Sequence, residues 1–93
     1  MEITKMLTLS TAHITDSTME QLDREPVYNN LGLCVYKKSD YGWFIYLDNT
    51  MDLTDMRLPN DLLKCLALAK SVGCDVLCLD CDGPEELFLP SVN

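Results

Sequence analysis

Two aspartates one residue apart follow an apolar segment near the end of the chain. Residues 76–84 read VLCLDCDGP, so Asp80 and Asp82 come where a buried strand ends, and Gly83 lets the backbone turn. Carboxylate-based phosphatases supply a lysine, a hydroxyl group and further acids after such a pair, whereas only nine residues follow Pro84. We therefore expect one of two structures here. Either the aspartate side chains bond backbone amides in a turn, or Asp80 and Asp82 form a weak divalent-cation site. No other cofactor is expected.

His13 is the single histidine of the chain and follows the first predicted strand. A histidine at the rim of a sheet can act as an acid or base beside a carboxylate. It can equally bond the loop that leads into the next helix. The catalytic alternative for this chain is therefore a small metal-dependent hydrolase that uses His13, Asp80 and Asp82.

The cysteines indicate free thiols rather than a disulfide framework. There are five, an odd number, and four lie inside apolar segments, which is typical of buried thiols in a reducing cytoplasm. On one strand Cys78 and Cys81 would point to opposite faces, so a shared metal ion is disfavoured. The five are Cys34, Cys65, Cys74, Cys78 and Cys81.

Hydrophobic periodicity predicts the element order β-α-β-β-α-β. The first half is expected to contain a strand over 5–12 and a helix that Thr15 or Ser17 caps and that Pro26 stops at about Glu25. A hairpin follows, with one strand that begins at Leu31 and a second strand from Trp43 to Leu47. The second half is expected to contain a helix that Asn60 or Asp61 caps and Gly73 ends, and then a strand over 74–80.

This order predicts one α+β domain over residues 1–93, a ferredoxin-like two-layer sandwich. The sheet would be mainly antiparallel, in the order 4-1-3-2, with both helices on one face. Because strand 4 would then run antiparallel to strand 1, His13 and Asp80 would lie at opposite ends of the sheet.

The second face of this sheet would carry aromatic side chains. If Val35, Trp43 and Ile45 face the helices, alternation sends Tyr36, Phe44 and Tyr46 to the other side. Three exposed aromatics predict an interaction face, for another protein or a second copy of this chain. The alternative is that residues 87–89, Leu-Phe-Leu, fold over this face and cover it.

Charge restricts the possible partners. Fifteen acids against seven bases give a net charge of −8. After Lys70 the chain carries five acids and no base, which predicts an acidic face and argues against direct nucleic-acid binding. A basic protein surface, a cation or solubility alone can account for such a face. The five acids are Asp75, Asp80, Asp82, Glu85 and Glu86.

Targeting signals and membrane spans are not evident in the sequence. No apolar run approaches the roughly 20 residues that span a bilayer. The first six residues include Glu2 and Lys5 and lead into a strand pattern, unlike a secretory signal peptide. We therefore expect a cytoplasmic protein.

Three motifs resemble a bacterial family of small domains of unknown function. They are STAHIT at 10–15, YGWF at 41–44, and LDxDGP at 79–84, the last preceded by Gly73-Cys74 and followed by Leu89-Pro90. The resemblance covers most of the chain and implies a gene often carried on plasmids and conjugative elements. It brings no activity and no residue roles.

Charge, size and the missing catalytic partners favour a non-enzymatic function. We expect an acidic protein-interaction module of a mobile genetic element that binds a basic surface. One example is an inhibitor, of the anti-CRISPR kind, that occupies a host protein's nucleic-acid groove. A homodimer through the aromatic face is a further expectation, and the small hydrolase remains the alternative.

Overall fold

The computed structural model describes residues 1–48 and 50–93, which form an α+β domain with four strands and two α-helices. A short 3₁₀ turn at Thr11–His13 links the first strand to the first helix. In chain order the regular elements are β1 (Met6–Ser10), α1 (Asp16–Tyr28), β2 (Cys34–Lys38), β3 (Gly42–Tyr46), α2 (Asn60–Ser71) and β4 (Val76–Asp80).

The sheet is mixed and its strand order is β1-β4-β3-β2. β1 and β4 are parallel, whereas β4 pairs with β3 and β3 pairs with β2 in antiparallel fashion. The expected ferredoxin-like order, 4-1-3-2, is therefore wrong. The reason lies in β4, whose first four residues are all buried, as suits an interior strand flanked by a strand on each side, whereas β1 carries hydroxyl groups at Thr8 and Ser10 and takes the edge.

The hydrophobic core lies between one face of the sheet and both helices. Leu22 of α1 packs in the same cluster as Leu62 and Leu66 of α2. The sheet supplies alternate residues of each strand to this cluster, as period-two alternation requires. These residues are Leu9, Val35, Trp43, Ile45, Leu77 and Leu79.

The N-termini of the two helices are joined by one carboxylate. Thr15 caps α1, since its hydroxyl accepts a hydrogen bond from the Thr18 amide at 3.2 Å. Asp61, in the first turn of α2, accepts bonds from the Thr15 amide at 2.8 Å and from the Thr18 hydroxyl. Asp61 therefore fixes the start of α1 against the start of α2.

The ends of the helices differ in how well the sequence predicted them. α1 does not stop before Pro26 but continues to Tyr28, because proline in the last turn removes only one amide donor and the Asn29 amide still bonds the Glu25 carbonyl at 2.8 Å. Gly73 follows α2 with a φ of +76°, as expected for a residue that ends a helix.

Glu25 is a buried carboxylate that shapes the chain between α1 and β2. It accepts hydrogen bonds from the Leu31 amide at 2.8 Å and from the Leu33 amide at 2.8 Å. Leu31 and Leu33 enter the core here, so the regular strand β2 begins only at Cys34.

Neither of the helices in the described ranges, α1 and α2, has the length and apolar character needed to cross a membrane.

Candidate functional site

The end of β4 forms a tight turn built on Asp80. One carboxylate oxygen of Asp80 accepts a hydrogen bond from the Asp82 amide at 2.8 Å, and its carbonyl accepts one from the Gly83 amide at 2.9 Å. This is an aspartate turn, in which a side chain substitutes for backbone in bonding the next amides. The second carboxylate oxygen of Asp80 is left to bond elsewhere.

Lys38 bonds that second oxygen across the sheet. In the strand register Gly42 lies between Lys38 and Asp80, and since glycine has no side chain the ammonium group reaches over β3 unobstructed. The hydrogen bond to Asp80 raises the pKa of Lys38, and the same bond lowers the pKa of Asp80. Lys38 and Asp80 thus neutralise each other, and Asp80 is not a free carboxylate.

This ion pair bears on the predicted cation site. Potential ligand atoms of Asp80, Cys81 and Asp82 lie within 4.8 Å of one another. Lys38 already supplies a positive charge to Asp80, so a divalent ion would have to displace an ammonium group to use that carboxylate. Cation binding at Asp80 and Asp82 stays a prediction.

His13 is buried, with 2% of its surface exposed, and both of its ring nitrogens bond backbone groups. Nε2 accepts a hydrogen bond from the Glu86 amide at 2.9 Å, and Nδ1 lies 3.0 Å from the Pro90 carbonyl oxygen. Because an amide can only donate and a carbonyl can only accept, the imidazole is neutral with its proton on Nδ1. His13 therefore has a structural position rather than one suited to proton transfer with a substrate.

The expected separation of His13 from Asp80 is wrong. Because β1 and β4 are parallel, with Ser10 in register with Asp80, both residues lie toward the same end of the sheet. The partners of His13, however, are Glu86 and Pro90 rather than Asp80.

Residues 84–93, here called the C-terminal segment, run back over the 3₁₀ turn. The Ser10 amide bonds the Pro84 carbonyl at 2.8 Å, and the Val92 and Asn93 amides bond the Ala12 carbonyl at 2.8 and 3.1 Å. Together with the two bonds of His13, these contacts hold the segment at both of its ends and in its middle.

The centre of the C-terminal segment presents two apolar side chains to solvent. Leu87 is 98% exposed and Phe88 is 87% exposed. They occupy a turn closed by a 3.1 Å hydrogen bond from the Leu89 amide to the Glu86 carbonyl, while Leu89 packs against the core. We call Leu87 and Phe88 the hydrophobic tip. The alternative in which they cover the aromatic face is wrong, because side chains this exposed cover nothing.

The face of the sheet opposite the helices, here called the open face, is ordered in three rows by the strand register. Tyr36 and Tyr46 are 56% and 47% exposed, and their rings meet edge to face at 5.4 Å. Phe44, the register partner of Tyr36 on β3, is partly buried. From β1 to β2 the rows are Met6, Val76, Tyr46, Cys34; then Thr8, Cys78, Phe44, Tyr36; then Ser10, Asp80, Gly42, Lys38.

The acids predicted to form one face do not all come together. Asp80, Asp82, Glu85 and Glu86 follow one another after β4, whereas Asp75 precedes β4. A five-residue strand spans about 17 Å, so Asp75 lies at the far end of the sheet. There its carboxylate accepts a hydrogen bond from the Lys5 amide at 3.1 Å.

The thiols are all free and differ in exposure. Cys65 and Cys78 are buried, and burial raises the pKa of both, that of Cys65 to about 11. Cys34 and Cys81 are exposed. The buried pair are therefore protonated at neutral pH and act as small apolar side chains.

Sequence reasoning missed two features of this end of the molecule. Lys38 was not expected to pair with Asp80, because the pairing depends on β3 lying between β2 and β4, which the predicted strand order did not contain. The hydrophobic tip was also missed. Its signal was a pair of glutamates directly before Leu87 and Phe88, which is unusual for a segment that packs on a core.

Comparison with known proteins identifies the family without an activity. No curated protein and no solved structure matches the chain significantly. Residues 6–93 match the model described as the C-terminal domain of a family of unknown function, DUF5983. The match covers all seven elements of the fold, from β1 to the C-terminal segment. The chain therefore belongs to the DUF5983 family, as its C-terminal domain.

Proposed function

We propose that this domain is a non-enzymatic, acidic protein-interaction module that binds a basic surface of a partner protein. The observation that carries the proposal is the hydrophobic tip, two large apolar side chains held in solvent directly beside Glu85 and Glu86. An apolar anchor with a charged surround is the usual composition of a binding hot spot and its rim.

The rigidity of the tip supports this role. Leu87 and Phe88 lie between the two backbone groups that His13 bonds, at Glu86 and Pro90, and Leu89 packs against the core. A turn that is ordered before binding loses little conformational entropy when a partner closes over it. Burying a leucine and a phenylalanine side chain is worth about 1.5–3 kcal/mol each.

Charge selects the class of partner. Glu85 and Glu86 precede the tip, Asp82 lies nearby in sequence, and the last base of the chain is Lys70. A phosphate backbone or an anionic membrane would be repelled, whereas a protein pocket rimmed by lysine and arginine would be attracted. We therefore propose a basic, nucleic-acid-binding protein as the partner, blocked where it would hold phosphates, in the manner of an anti-CRISPR inhibitor carried by a bacterial mobile element.

The alternative hydrolase finds less support in the geometry. It requires His13, Asp80 and Asp82 to act together on a substrate. Both nitrogens of His13 are bonded to backbone, and Asp80 is paired with Lys38. Acid–base catalysis needs a proton donor or acceptor within hydrogen-bond reach of a substrate. The buried His13 ring already makes a hydrogen bond to backbone at each nitrogen, so it does not offer one.

The test uses individually purified proteins encoded by genes beside this one, with affinity and association rate measured for each. For a true partner, Phe88→Ala should weaken binding about 10- to 100-fold, because it removes a hot-spot side chain. The combined change Asp82→Asn, Glu85→Gln, Glu86→Gln should slow association and flatten its salt dependence, because rim charges act mainly on the on-rate.

A matched variant controls for net charge. Glu2→Gln, Glu20→Gln and Asp55→Asn remove the same three charges from exposed positions outside residues 75–93. Binding that responds equally to both triple variants would show that only total charge matters. Binding that ignores Phe88→Ala would refute the tip as the anchor. A duplex DNA that fails to compete with this protein for the partner would refute the groove-blocking part alone.

A further inference from the structure

The three rows of the open face carry no net charge, although the protein as a whole is acidic. Asp80 and Lys38 are the charged side chains in its three rows, and they neutralise each other. A basic partner has no electrostatic reason to choose this face. An equally neutral surface can approach it without like-charge repulsion.

The arrangement of the rows is complementary to itself about β3. Two open faces stacked around a two-fold axis that runs along β3 would place Phe44 opposite Phe44 and Tyr46 opposite Tyr46 of the other copy. The same rotation exchanges the two neighbours of Gly42, so that Lys38 of each copy meets Asp80 of the other. An interface of this type needs one patch that fits itself, and the rows of the open face meet that condition.

The surface also has the shape that a second sheet requires. An open cavity of about 350 Å³ lies over one end of the face, lined by Thr4, Met6, Phe44, Tyr46 and Val76. Side chains of stacked sheets interdigitate across about 10 Å, so aromatic rings of a second copy would fill such a hollow.

We propose that the open face is a homodimer interface in which two copies stack as a β-sandwich about a two-fold axis along β3. The patch is small. About this axis β4, β3 and β2 of one copy face β2, β3 and β4 of the other, and three strands of five residues present roughly 240 Å² per copy, estimated from strand spacing and rise, so the dimer is expected to be weak and dependent on concentration. This inference is independent of the hydrophobic tip and its partner.

Salt separates the two interactions. Each copy carries a charge of −8, so screening should strengthen the homodimer, whereas it should weaken binding to a basic partner. Sedimentation equilibrium over a concentration series, at low and at physiological ionic strength, measures the first effect directly.

The decisive variant is Tyr46→Lys, which sets two like charges against each other across the axis. Because the change enters a two-fold interface twice, dimer affinity should fall at least about 100-fold. Tyr28→Lys, an exposed tyrosine on α1, is the matched control and should dimerise like the wild type. Circular dichroism melting of both variants checks that the fold is kept.

A cross-linking experiment tests the axis itself. In a Cys34→Ser, Cys74→Ser, Cys81→Ser background, which removes every thiol that is not buried, Tyr46→Cys should be joined into dimers by a short bismaleimide, and Tyr28→Cys should not. A wild-type mass that stays at 10.5 kDa at every concentration would overturn the proposal, as would equal effects of the two lysine variants. Dimers without cross-linking at position 46 would refute the axis along β3.

Discussion

Replacing His13 is expected to release the C-terminal segment while leaving the sheet folded. His13→Phe keeps a ring of similar size but loses both hydrogen bonds, and His13→Ala removes the packing as well. Each net hydrogen bond is worth about 0.5–1.5 kcal/mol. We therefore expect His13→Phe to lower the free energy of unfolding by about 1–3 kcal/mol.

His13→Ala adds the loss of a buried ring. Truncating a large buried side chain costs about 2–5 kcal/mol when the surroundings cannot close in. Here the C-terminal segment can detach and let water reach the freed Glu86 amide and Pro90 carbonyl, which limits the loss to about 2–4 kcal/mol. In a domain of this size 1 kcal/mol corresponds to about 4–8 °C, so the melting temperature should fall by about 10 °C or more.

Amide hydrogen exchange distinguishes local release from general weakening. In both variants the Glu86 and Val92 amides should exchange much faster than in the wild type, whereas Leu77 and Ile45 in the central strands should remain protected. Unchanged protection at Glu86 would refute the reasoning, since it would show that the bonds from Ser10 and Ala12 hold the segment without the imidazole.

Two further predictions concern the rows of the open face. Gly42→Ala should destabilise the fold by more than about 3 kcal/mol in chemical denaturation, because its Cβ would lie 1.6 Å from the Leu79 carbonyl oxygen, whereas Gly73→Asn, with open space around it, should cost less than about 1 kcal/mol. The Asp80 pKa is lowered and the Lys38 pKa is raised, so the ion pair stabilises the folded protein between the unfolded aspartate pKa of about 3.9 and the unfolded lysine pKa of about 10.4. On the acid side this stabilisation is lost as pH falls through the folded Asp80 pKa. On the alkaline side it is lost as pH rises through the folded Lys38 pKa. The wild type should therefore lose its melting-temperature advantage over the variant Lys38→Met, Asp80→Asn at both extremes; an advantage unchanged at pH 3 would contradict the pairing.

Local patterns in the sequence predicted the elements that depend on near neighbours. The alternation of residues around the hairpin predicted that Val35 and Ile45 enter the core and that Tyr36 and Tyr46 face away, and the pairing of β2 with β3 follows that register. Thr15 as the cap of α1 rested on the residue types of a single turn. Such features are readable because the atoms that interact are close in sequence.

Strand order could not be predicted from local patterns, because it depends on which strand takes an interior position between two others. The relevant signal was the uninterrupted apolar run from Val76 to Leu79, compared with the hydroxyls of β1. The hydrogen-bond partners of His13 could not be predicted for a similar reason. Its partners lie 73 and 77 residues away and are backbone groups, which no side-chain motif announces.

The parallel pairing of β1 with β4 explains why the motifs from the two ends of the chain belong together. It brings Ser10 and His13 to the end of the sheet where Asp80 turns the chain, and there the Ser10 amide bonds Pro84. Residues of the first and last motifs thus contact each other, and these contacts fix the C-terminal segment. Because a fixed segment has no need to expose Leu87 and Phe88 for its own stability, their exposure supports the partner-binding role proposed for the hydrophobic tip.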